Sequence, residues 1–144
     1  MSKARIAEYL GPSMAHYRKE KLAAGRSEDQ ADANVAEVTA TSFPGGEPAP
    51  GNEIYDVLDG SELVGIVWIA EQAPKSWWIY DIEMLESQRG NGYGRATMLA
   101  AEARMRELGA ASIGLNVFAT NATARHLYGS LGFEPTAIQM RKLL

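Results

Sequence analysis

The chain has 144 residues, 46% hydrophobic and 22% charged, with a formal net charge of −4 and no cysteine. One domain of this size buries a core without disulfides or metals, and the missing thiols exclude thiolate zinc sites and a cysteine nucleophile while fitting a reducing cytoplasm. The acidic balance lacks the basic stripe of a nucleic-acid binder, and the longest apolar run, Leu63–Ala70, is far shorter than the roughly 20 residues of a membrane span.

In chain order, residues 1–43 read as helical. Met1–Arg5 lacks the apolar core of a signal peptide, and a cytoplasmic location is expected. Ile6, Leu10, Met14 and Tyr17 recur at helical spacing. Gly11-Pro12 predicts a kink or a restart, and Gly25 a stop. Ser27 and Gln30 stand at capping-box spacing, opening a second helix with Ala31, Val35 and Val38 on its apolar face. The Pro- and Gly-rich stretch 44–51 predicts an ordered surface loop.

Three strands follow: Glu53–Leu58, closed by the turn Asp59-Gly60, then Glu62–Glu71 and Ser76–Leu85. From Arg95 the period changes, and Met98, Ala101, Met105 and Leu108 share one helical face up to Gly109. A short strand is expected at Ser112–Val117. Next comes a helix capped by Thr120 or Asn121, with Ala124, Leu127, Tyr128 and Leu131 on its buried face, and a last strand at Thr136–Lys142. The order predicts a mixed α/β sheet with helices on both faces. His16 and His126 stand far apart with no ligand-like spacing, so no metal is expected.

The strongest chemical feature is Gln88-Arg89-Gly90-Asn91-Gly92-Tyr93-Gly94, between a strand and a helix. Glycines there let backbone N–H groups turn towards a ligand, and the helix that follows adds a partial positive charge at its start. Together they make a phosphate site. A hairpin turn at Asn91-Gly92 is the competing reading, but a hairpin needs a strand on each side, and Arg95–Leu108 is helical in pattern. A dinucleotide fingerprint fails because position 95 is Arg95, and a Walker loop fails because 95 and 96 are Arg95 and Ala96.

Arg89–Gly94 resembles the [Gln/Arg]-x-x-Gly-x-[Gly/Ala] pattern of the GNAT acetyltransferase superfamily. The likeness continues at Asn121 and through Leu127-Tyr128-Gly129-Ser130-Leu131-Gly132-Phe133, which is similar to the family's second signature. It covers Asp56 to the C-terminus well and the first 50 residues poorly. It implies a mixed, mostly antiparallel central sheet flanked by helices on both faces. One acyl-CoA N-acyltransferase domain over 1–144 is expected, with 1–43 a helical segment and 52–144 the sheet and CoA-binding core.

The resemblance also implies roles. Arg89, Gly90, Asn91, Gly92, Tyr93 and Gly94 hold the CoA pyrophosphate, the Met84 N–H polarises the thioester carbonyl, and Asn121 contacts the CoA arm. Tyr128 is the expected general acid towards the departing thiolate, although its place beside Leu127 and Leu131 also suits simple packing. Some relatives carry a glutamate where Asn116 stands here, which leaves Glu83, Asp81 and Glu53 as candidate bases, with Glu83 preferred. Tyr55, Trp68, Trp77, Trp78 and Tyr80 either line an acceptor pocket or form core. The expected activity is transfer of an acetyl group from acetyl-CoA to a primary amine, of a small molecule rather than a peptide, by direct attack in a ternary complex. A non-catalytic acyl-CoA sensor of the same fold is the alternative, and a homodimer is within what the resemblance allows.

Overall fold

The computed structural model describes residues 1–144. Its element order is α1 (Lys3–Ala23), α2 (Glu28–Ser42), β1 (Asn52–Asp59), β2 (Glu62–Ala73), β3 (Ser76–Met84), α3 (Tyr93–Glu107), β4 (Ser112–Leu115) and α4 (Ala122–Ser130). Two compact units result, Met1–Gly114 and Leu115–Leu144.

Helix α1 starts at Ser2, whose hydroxyl accepts the Arg5 N–H, and runs unbroken to Ala23. No restart occurs at Pro12. A proline removes one helical hydrogen bond, but Gly11 and Pro12 are exposed, so water can satisfy the carbonyl left over. Gly25 then takes a positive φ of 89° and stops the helix. The Ser27–Gln30 capping box forms in both directions, at 3.0 and 3.2 Å.

The sheet order is β1-β2-β3-β4, with β1–β2 and β2–β3 antiparallel. Strand β2 is buried from Val64 through Ala70, because both of its faces are covered. Ile66 and Trp68 join Ile6, Tyr9, Phe43 and Ile54 in one cluster under α1. By alternation, Val67 and Ile69 face the other way, towards α3, whose Thr97, Met98, Ala101 and Met105 are buried. Helices therefore lie on both faces.

Strand β4 returns after α3. The Ala111 and Ser112 N–H groups donate to the Lys75 carbonyl at 2.7 and 3.2 Å, and Gly114 lies against Trp78. It therefore begins beside the start of β3 and runs parallel to it.

In the C-terminal unit, Asn121 Oδ1 accepts the Ala124 N–H at 3.1 Å and caps α4. The strand expected at Thr136–Lys142 does not form. No regular element follows α4, and Ile138, Met140, Leu143 and Leu144 are exposed. Alternation of two apolar residues does not make a strand without a neighbouring ladder, and the sheet ends at β4.

A Cβ on Gly114 would stand 2.0 Å from Trp78 Cζ3. Gly114→Ala is expected to lower stability by about 1–3 kcal/mol through overpacking. Urea unfolding checks this, and a Trp78→Leu background should relieve much of the loss.

Candidate functional site

Strand β3 and the loop after it carry most of the predicted site. Gly65 is the Cα partner of Met84, and the Leu85 N–H donates to the Val64 carbonyl at 2.9 Å. Such a bond marks Gly65/Met84 as a pair of the non-hydrogen-bonded kind. The Met84 N–H and C=O therefore point away from β2, towards the outer edge of β3. Strand β4, four residues against nine in β3, does not extend along that end. A Cβ on Gly65 would meet the Glu83 carbonyl at 2.5 Å, so only glycine allows the two strands this approach. The Arg89 Nε–H occupies the Met84 carbonyl at 3.1 Å, and the Met84 N–H remains on the open edge.

The loop then turns on two left-handed residues, Gly90 (φ 79°) and Gly92 (φ 82°). A Cβ at either would meet nothing within 4 Å, so these glycines serve conformation rather than close packing. Gly92 is the N-cap of α3 and offers no capping side chain, so no side chain of the cap residue takes up the N–H groups that a helix start leaves outside its own ladder. Two hydrogen bonds hold the loop to the β1–β2 turn: Tyr93 to Asp59 at 2.5 Å and Gln88 to Glu62 at 2.7 Å. The Asp59 contact raises the Tyr93 pKa above its ordinary value. Arg89 also pairs with Glu83 at 3.5 Å. A glycine loop, a helix start and an arginine are groups of the kind that attract anions.

The three carboxylates singled out from sequence occupy different settings. Arg104 grips Glu53 through two nitrogens, at 3.0 and 2.9 Å, while Tyr55 donates to the same carboxylate. Burial raises the Glu53 pKa, but the Arg104 and Tyr55 bonds outweigh it and hold Glu53 below the ordinary carboxylate value. Glu83 is exposed and faces Arg89. Asp81 accepts from Tyr9 at 2.7 Å and from Ser13 at 3.0 Å, both on α1. Sequence reasoning missed Tyr9 and Ser13. Their signal was two hydroxyls one helical turn apart beside the apolar stripe.

The aromatic residues divide. Trp68 and Trp77 are core, whereas Tyr55 and Tyr80 are exposed. Tyr55 lines a cavity of about 470 Å³ on the α3 side, with Val57, Val67, Ile69, Thr97 and Arg104. Tyr80 stacks on Trp68, centroids 4.8 Å apart. In the C-terminal unit Tyr128 is half-buried, its ring 6.0 Å from that of Phe133. Asn121 spends its carbonyl oxygen on the α4 cap, leaving its amide N–H₂ as the group able to reach a ligand. No cluster of side chains suited to a metal ion is present, and no helix is long and apolar enough to cross a membrane.

The sequence profile of the Acetyltransferase (GNAT) family matches residues 17–133. The chain belongs to the GNAT acetyltransferase family. It is 32% identical to YycN of Bacillus subtilis, described as an uncharacterized N-acetyltransferase, over all of this chain and 96% of the relative. The crystal structure of YycN superposes with a TM-score of 0.88 over 100% of this chain and 95% of that one. A second Bacillus subtilis acetyltransferase, solved in complex with CoA, is 25% identical with a TM-score of 0.60, covering 76% of this chain and 65% of the other. Streptothricin acetyltransferase of Streptomyces lavendulae is 35% identical over 61% of this chain and 47% of its own length. The GNAT fold thus accounts for the sheet and the loop between β3 and α3.

The Glu53–Arg104 pair makes a pH prediction. A depressed pKa contributes stability above the unfolded value near 4.3, and that contribution is lost as pH falls through the folded value. Between pH 5 and 3 the stability of the wild type should fall more steeply than that of Arg104→Met, measured by urea unfolding across the series.

Proposed function

We propose that residues 1–144 act as one N-acetyltransferase domain moving an acetyl group from acetyl-CoA to a primary amine of a small molecule, by direct attack in a ternary complex. The observation that carries this reading is the Arg89–Gly94 loop, with two left-handed glycines opening α3 without a side-chain cap. The CoA complex of a GNAT relative supports the cofactor, and the likeness to an acetyltransferase acting on streptothricin supports a small acceptor.

In this reading the loop N–H groups and Arg89 hold the pyrophosphate, and the Asn121 amide contacts the CoA arm. The Met84 N–H donates to the thioester oxygen as negative charge develops there, worth about 3 kcal/mol for one such donor. An alkyl ammonium, with a pKa near 10.4, must lose a proton first; Glu83 accepts it through water. The amine nitrogen then bonds to the acyl carbon, the carbon–sulfur bond breaks, sulfur leaves with its electron pair, and the nitrogen gives up its second proton to water. Tyr128 donates a proton to that thiolate and recovers one from the water that took the second amine proton. No covalent enzyme intermediate is required.

Calorimetric titration of the wild type with acetyl-CoA and CoA is expected to show micromolar binding that Gly92→Trp abolishes; no binding by the wild type overturns the reading. Tyr128→Phe should keep CoA affinity and lose about 100-fold or more in turnover, read as thiol release with an amine panel. Asn116, standing where some relatives have glutamate, favours a second reading as a non-catalytic acyl-CoA sensor. That protein would bind CoA and release no thiol with any amine.

A further inference from the structure

Tyr9 and Ser13 stand four residues apart on α1 and so share one helical face. Their hydroxyls converge on a single oxygen, Asp81 Oδ2, at 2.7 and 3.0 Å, and Ser13 Oγ lies 3.1 Å from Tyr9 Oη. Tyr9 is only 7% exposed. Burial first, and then the Asp81 charge, push its pKa well above the ordinary value, which keeps it a neutral donor.

This setting distinguishes Asp81 from its neighbours. Arg104 grips Glu53, Arg89 faces Glu83, and Arg5 holds Asp56 at 3.2 Å. Asp81 is instead fixed by neutral hydroxyls, which immobilise a carboxylate without cancelling its charge. Both bonds fall on Oδ2, so Oδ1 keeps its lone pairs for another donor.

An independent feature lies beside it. The register passes from Trp68↔Asp81 to Ile69↔Ile79, so Tyr80 is an extra residue in β3, a bulge of the kind that re-aims side chains. Its ring is 43% exposed and stacked on Trp68, the cross-strand partner of Asp81. An exposed aromatic ring one residue from a carboxylate is a setting that suits an ammonium group. Glu83 is two residues along the same strand face, about 7 Å away at the usual strand rise.

We propose that the acceptor is a small aliphatic diamine, with its reacting amine at Glu83 and its distal ammonium between Asp81 Oδ1 and the Tyr80 ring. Tyr9 and Ser13 are positioning residues that act through Asp81. The assignment rests on the acetyl-transfer reading for its chemistry.

The test titrates the full chain, with and without saturating CoA, with 1,4-diaminobutane and with n-butylamine, which has the same length and one amine. The wild type should bind the diamine at least ten-fold tighter. Asp81→Asn should erase that preference. Tyr9→Phe, which keeps the ring in the core, and Ser13→Ala should each reduce it several-fold while leaving n-butylamine affinity unchanged. Equal binding of the two amines by the wild type, a preference that survives Asp81→Asn and Tyr9→Phe, or equal weakening of both amines would overturn the assignment. Acetyl-CoA titration of the same samples separates the two ideas. Intact acetyl-CoA binding without a diamine preference removes only the acceptor assignment, and absent acetyl-CoA binding removes the acyltransferase reading.

Discussion

The rest of the structure depends on the burial of β2 on both faces. Val64 through Ala70 are all buried, and each face of the strand needs its own cover. Alternation sends Ile66 and Trp68 under α1, and Val67 and Ile69 towards α3. The two sides thereby acquire different tasks. The α3 side supplies the glycine loop, with Gly90 and Gly92 left-handed and no side chain capping the helix start. The α1 side places two hydroxyls against β3.

Strand β3 is where these sides meet. Its inner edge is committed to β2, with Gly65 admitting Met84 at a distance no other residue allows. Its outer edge is left open at one end because β4 is short and starts beside the other end. Backbone polarity that would normally be consumed by a neighbouring strand is thus retained next to the glycine loop. Arg89 takes the Met84 carbonyl and leaves the N–H donor of that residue on the edge.

Much of this was readable from residues. The β3–α3 loop stood out because Gly90, Gly92 and Gly94 precede a helical period, and the Ser27–Gln30 box because capping is a local interaction. The burial of Met98, Ala101 and Met105 followed from spacing alone. What was hidden is non-local. The hydrogen bonds from Tyr9 and Ser13 to Asp81 join residues about seventy positions apart, and the bulge at Tyr80 is visible only in the pairing register. The expected strand at Thr136–Lys142 failed for the same reason, since a strand is defined by its neighbour. Pro12 misled in the opposite direction: its local penalty is real, yet Ile6 and Tyr9 before it and Met14 after it pack on the same core cluster and hold the helix across it.

That continuity has a consequence for how the molecule can diversify. The family profile begins at residue 17, inside α1, whereas Tyr9 and Ser13 precede it on the same helix. Exchanging side chains on its first turns alters what faces β3, while the glycine loop, tied to the far hairpin through Tyr93 and Gln88, is undisturbed. The two faces of one sheet are thereby open to substitution independently of each other.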